Sequence, residues 1–84
     1  MTHDEIERKV IKIIADYLEE NIGNITVESR LINDLALDSL GVAELAFELE
    51  EKFELEMSNK DLSAIKTVKE IVDYIFAQKK KQAV

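Results

Sequence analysis

The residues best suited to chemistry in this sequence are the run Asp38-Ser39-Leu40. A serine that opens a helix is exposed, and its oxygen lies beside backbone amides that have no partner within the helix. Those amides and the helix dipole favour an anion attached at that oxygen. Asp and Ser are also ordinary helix-capping residues, so the tripeptide alone is compatible with a plain cap. Its setting says more. The pair follows a long stretch without periodicity and opens the most acidic helix of the chain. Such a site suits a phosphoester. No neighbouring base activates the serine, so another enzyme must attach the group.

Other chemistries lack their residues. His3 is the only histidine and sits near the N-terminus, whereas a Ser-His-Asp triad needs an imidazole held by a scaffold. With no cysteine there is no disulfide, no thiolate metal site and no protein thiol nucleophile. Any thioester chemistry must therefore bring its sulfur on a cofactor. Zinc ligands are wanting, the acidic run lacks a calcium-loop pattern, and no glycine-rich loop is present to cradle a nucleotide phosphate.

The elements that must position Ser39 read as helices. Ile6, Val10, Ile13, Ile14 and Tyr17 share one face, and Thr2 with Glu5 forms a capping-box pattern, predicting a helix over 3–21 with Gly23 as its stop. Residues 24–37 have no period and read as a long loop pinned to the core by Leu31, Ile32 and Leu35. Val42, Leu45, Ala46, Leu49 and Phe53 predict a helix over 39–53, with Glu44, Glu48 and Glu51 on its solvent face. Leu40 and Phe47 fall off its apolar stripe. A short helix over 59–65 is capped by Ser58 or Asn59, with Leu62 and Ile65 turned inward. Thr67 and Glu70 open the last helix, 67–80, whose stripe is Val68, Ile71, Val72, Ile75 and Phe76 and whose end carries Lys79, Lys80 and Lys81. The expected fold is all-α: three main helices and one short one in a four-helix bundle, forming one domain over 1–84.

Composition agrees. At 84 residues the chain has room for one thin core, and with no proline and two glycines it favours helices over a turn-rich β fold. The net charge of −7 lies entirely in residues 34–61, where nine acidic residues face only Lys52 and Lys60. That segment repels nucleic acid and anionic membranes and steers partners bearing basic patches. No apolar run approaches the ~20 residues that span a bilayer. The opening residues carry no apolar signal-peptide core, so a cytoplasmic protein is expected.

The run Asp34-Leu35-Ala36-Leu37-Asp38-Ser39-Leu40, followed by Val42, Glu44-Leu45, Leu49-Glu50 and Phe53, resembles the signature of acyl carrier proteins. Ile65, Thr67-Val68 and Asp73-Tyr74-Ile75 extend the resemblance through the last two helices, and Ile6 to Ile14 through the first. It covers nearly the whole chain.

The resemblance implies that a phosphopantetheinyl transferase attaches 4′-phosphopantetheine from coenzyme A to Ser39, beside Asp38. The terminal thiol of that arm holds the acyl chain, and the protein itself catalyses nothing. It implies docking of acyltransferases and acyl-chain synthesis enzymes on Asp38, Glu44, Glu50 and Glu51, with Leu40 and Phe47 as apolar contacts. Leu49, Met57, Ile65 and Ile71 are the positions it assigns to an acyl cavity. A monomer working in fatty acid or related lipid synthesis is expected. A carrier dedicated to a polyketide, peptide or special-lipid pathway is the alternative, and an unmodified acidic helical adaptor a more distant one.

The sequence departs from the family pattern at a few positions. Ala36 stands where glycine is usual and is strained if that site needs positive φ. Gly41 replaces an acidic or polar residue, Met57-Ser58 replaces an Ile-Pro pair, and Leu37 is a residue common in carriers of polyketide or peptide synthases.

Overall fold

Thr2 starts the first helix as its sequence requires. Its hydroxyl accepts from the Glu5 amide, while the Glu5 carboxylate accepts from the Thr2 amide at 3.1 Å. The computed structural model describes residues 2–82, so Met1, Ala83 and Val84 of the expected domain lie outside the described residues. In chain order come α1 (His3–Leu18), a single 3-10 turn (Ile22–Asn24), α2 (Ser39–Phe53), α3 (Asn59–Ala64) and α4 (Val68–Gln82). The described residues form the expected all-α arrangement of three main helices and one short one.

Two helix ends differ from expectation by more than a residue. α1 stops at Leu18 rather than 21, because Glu19 adopts the left-handed conformation (φ 55°) and turns its amide back onto the carbonyls of Ala15 and Asp16. Gly23 is not the stop; it sits in the 3-10 turn without a positive φ. α4 runs to Gln82, two residues past 80. Thr67 and Glu70 make the predicted capping box at its start.

α1 packs chiefly along α4 and also against α2, while α2 meets α3. Ile6, Val10 and Ile14 of α1 and Val68, Val72 and Ile75 of α4 are fully buried. Each such side chain contributes roughly 1.5–3 kcal/mol on burial. Leu45, Leu49 and Phe53 add the buried stripe of α2.

The loop before α2 is tied down by backbone hydrogen bonds to the α3–α4 connection. The Leu31 amide donates to Lys66 O at 3.0 Å, Val68 to Ser29 O at 3.1 Å, and Lys69 to Val27 O at 2.8 Å. The apolar residues that pin this loop are Ile25, Leu31 and Leu37, all buried, with Leu35 half-buried. Ile32 does not pin it. It is 54% exposed, because the turn over residues 31–35 sends it outward.

Candidate functional site

The approach to Ser39 is set three residues earlier. Ala36 adopts φ 58°, the left-handed conformation that glycine usually supplies. This turn seats Leu37 in the core, 7% exposed, and brings Asp38 to the N-cap of α2. Asp38 Oδ1 accepts from the Gly41 amide at 2.7 Å. A Cβ at Gly41 would lie 3.1 Å from Leu37 Cδ2 and 3.2 Å from Asp38 Oδ1. Leu37 and Gly41 are therefore one feature: the buried leucine crowds the space that a side chain at 41 would enter.

Ser39 is the first residue of α2 and is exposed. Its hydroxyl has no hydrogen-bond partner among the described residues, and neither do the amides of Ser39 and Leu40. A phosphate esterified to this oxygen fits the site. The oxygen is free, two amides are open beside it, and a 15-residue helix directs its positive end there. The carboxylate of Asp38 opposes a second negative charge, but one of its oxygens is already committed to the Gly41 amide.

Beyond Ser39, Leu40 is 68% exposed and Phe47 60% exposed, two of the largest apolar side chains left open. Glu44, Glu48 and Glu51 are exposed along the same helix. Half-buried Tyr17 of α1 lies against this face, and its phenol is pushed above its ordinary value by burial and then by the Glu44 carboxylate. Glu50 differs from its neighbours. It is half-buried, and its Oε2 accepts from the Met57 amide at 2.9 Å, so it closes the turn between α2 and α3.

Leu49, Met57, Ile65 and Ile71 are buried and come together around a small void of about 10 Å³. That is room for about one water, so this part of the core is closed in the resting structure. Leu31, Val42, Leu62 and Ile65 form a boundary shared by this void and a much larger open groove of about 630 Å³. The groove runs between the loop, α2 and α3, and Ser39 lies on its edge. Arg30, Asn33, Asn59 and Lys66 supply its polar rim. Of these, Arg30, Asn33 and Lys66 do not stand out in the sequence. Arg30 and Lys66 meet because the segment at 29–31 pairs with 66–68, a long-range register that no local pattern announces.

α3 forms one wall of the groove and is anchored by polar contacts. Ser58 caps it and donates to Asp61 Oδ2 at 2.8 Å. The Tyr74 hydroxyl of α4 donates to the same oxygen at 2.9 Å. These two bonds, Ser58 first, hold the Asp61 carboxyl below the usual carboxylate range.

His3 takes no part in this site. Its Nε2 is 3.0 Å from Asp73 Oδ1 and its ring packs edge-on against Phe76, in the α1–α4 contact. Among the described residues no cluster of side chains suits a metal, and no helix is long and apolar enough to cross a membrane.

Residues 8–75 match the family described as the phosphopantetheine attachment site. The chain is 46% identical over 67 residues to the acyl carrier protein of Clostridium perfringens, covering 80% of this chain and 88% of the relative. It is 41% identical over 70 residues to that of Syntrophus aciditrophicus, covering 83% and 88%. For that of Rickettsia bellii (strain RML369-C) the figures are 42% over 72 residues, 86% and 84%. A free helix-opening serine, an acidic helix behind it and this breadth of similarity converge: the chain belongs to the acyl carrier protein family, whose prosthetic group is 4′-phosphopantetheine.

Proposed function

We propose that Ser39 is the attachment point, and that the chain carries acyl groups as thioesters on the arm for fatty acid or related lipid synthesis. The observation that carries this reading is the unpartnered, exposed Ser39 hydroxyl at the positive end of α2. The arm supplies the thiol on which the acyl group rides. The protein supplies the anchor, the polarity around the ester and a surface for docking. In this reading it acts as a carrier, and its only histidine, His3, is engaged by Asp73 away from Ser39.

Partners in this reading are a phosphopantetheinyl transferase and, in the cytoplasm, acyltransferases and chain-synthesis enzymes with basic patches. Asp38, Glu44 and Glu51 offer them charge, and Leu40 and Phe47 offer apolar contact. Glu50 contributes to that surface through its field rather than a free carboxylate. Exposed pairs of this kind contribute about 0.2–1 kcal/mol each, so docking is weak, rapid and salt-sensitive, as a shuttle requires. When the acyl chain grows, Leu49, Met57, Ile65 and Ile71 must part to admit it, because the void they surround holds about 10 Å³.

The test is direct. Incubation with coenzyme A, magnesium and a promiscuous phosphopantetheinyl transferase is expected to add one arm per chain by intact mass, and Ser39→Ala is expected to add none. Folded wild-type protein that gains no mass would overturn the assignment.

A further inference from the structure

Four ion pairs occur among the described residues, and three of them join residues four apart in one element. His3–Asp73 is the exception. It links the first residue of α1 to α4, across the two helices that form the sealed seam of the molecule. His3 Nε2 is 3.0 Å from Asp73 Oδ1, and Lys69 Nζ holds the other oxygen, Oδ2, at 2.9 Å. The side chains of the pair are 43% and 48% exposed, so water reaches both. Packing fixes the ring as well. It meets Phe76 edge-on at 5.2 Å between centroids, and Lys80 Nζ stands 5.4 Å from the centre of the same Phe76 ring.

The chemistry of this pair is defined by its carboxylate. A carboxylate accepts and cannot donate, so Nε2 donates to Asp73, and the proton that comes and goes is the one on Nδ1. Nδ1 has no hydrogen-bond partner among the described residues and trades its proton with water. The neutral ring keeps a hydrogen bond to Asp73, and the protonated ring adds a full charge to it. Asp73 is held below the usual carboxylate range by His3 first and then by Lys69, so it remains ionised near neutral pH. The other charges on this side are Lys69 and Lys80 from α4, Glu70 acting on Lys69, and Asp4 and Glu7 from α1 itself. α2 and α3 send no hydrogen bond or ion pair to His3 or Asp73 among the described residues.

We propose that His3 and Asp73 form a proton-sensitive clasp on the α1–α4 seam, drawn tighter when Nδ1 is protonated. The protonated imidazole gains in the folded chain a partner that it lacks in the unfolded one. The contribution of the clasp is therefore present on the acid side of the imidazole titration and is lost as pH rises through it. With one histidine and no cysteine, the chain has no other side-chain type that ordinarily titrates between about pH 5 and 8. The clasp acts on the frame and not on the display of Ser39. Tyr17, which lies against α2 beside Glu44, is separated from His3 by about 20 Å of helix.

The experiment is thermal melting followed by circular dichroism, from about pH 5.5 to about pH 8 at constant low ionic strength. The wild-type midpoint is expected to fall by roughly 2–5 °C across that range, the size of one part-exposed ion pair in a domain of this length. His3→Gln keeps an amide donor but takes no charge, and Asp73→Asn keeps an acceptor but removes the carboxylate. Each should flatten most of the fall, and added salt should flatten it in the wild-type protein. A wild-type midpoint that does not move, or a fall that survives His3→Gln, overturns the proposal. So does a fall that survives Asp73→Asn but vanishes in His3→Gln, because it assigns the effect to the field of the whole acidic chain rather than to this pair.

Discussion

The α1–α4 side of the molecule and the α2–α3 side are built on different terms. Along α1 and α4, Ile6, Val10, Ile14, Val68, Val72 and Ile75 are all sealed from solvent. Across the α2–α3 side, Val42 and Leu62 are only half-buried, an open groove of about 630 Å³ separates the elements, and the wall is a helix of six residues. The first side supplies stability. The second spends little apolar surface on itself and leaves room beside Ser39. A small domain with one thin core can serve a ligand only by this division, since it cannot be both fully packed and open everywhere.

The sharpest way to break the comparison is to truncate one residue on each side. Ile75→Ala is expected to cost about 2–5 kcal/mol in urea denaturation, the range for a deeply buried aliphatic. Leu62→Ala, on the groove, should cost no more than about 1.5 kcal/mol, because its site is already half-open to solvent. Comparable losses at the two positions would erase the distinction.

A smaller effect tests the entry to the site. Ala36→Gly should raise stability by about 1 kcal/mol, since alanine at φ 58° is strained and glycine is not. The same denaturation measurement decides it.

The groove wall should also respond to acid, and more visibly than α1 and α4, whose own depressed carboxyls, Glu5 and Asp73, border a sealed apolar seam. The folded Asp61 carboxyl is held below its unfolded value by Ser58 and Tyr74. Its contribution is therefore complete above the unfolded value and is lost as pH falls through the lower, folded one. Amide exchange in 59–64 should accelerate over that acidic window while α1 and α4 stay protected. Tyr74→Phe should reproduce part of the acceleration at neutral pH. Uniform loosening of all four helices would contradict this.

The smallest effect is expected at Gly41→Ala. Helix propensity alone favours alanine by about 1 kcal/mol. The approaches to Leu37 Cδ2 and Asp38 Oδ1 should cancel that gain, leaving the midpoint nearly unchanged.

Much of this arrangement was legible in the sequence. α2 spans the expected 39–53, because a strong cap precedes a strict apolar stripe. The exposure of Ser39, Leu40 and Phe47 follows from the same periodicity. The loop was harder to read. Ile25, Ile32 and Leu37 are equally apolar, and without a period nothing local says that the first and last are buried and Ile32 is not. The end of α1 was misplaced because Gly23 is the more familiar stop, whereas Glu19 takes the left-handed cap. Lys66 beside Arg30 was invisible, because a backbone pairing between distant segments places them. The inward turn of the Glu50 carboxylate onto Met57 is likewise a tertiary event.

An isolated helix the length of α3 would not persist in water, so its shape is borrowed from its neighbours. Ser58 and Tyr74 do the lending, both by donating to Asp61 within it. Detaching this piece therefore costs a few polar contacts and leaves the α1–α4 interface whole. Substitutions confined to these six residues would therefore reshape the chamber while the frame that displays the serine stays as it is.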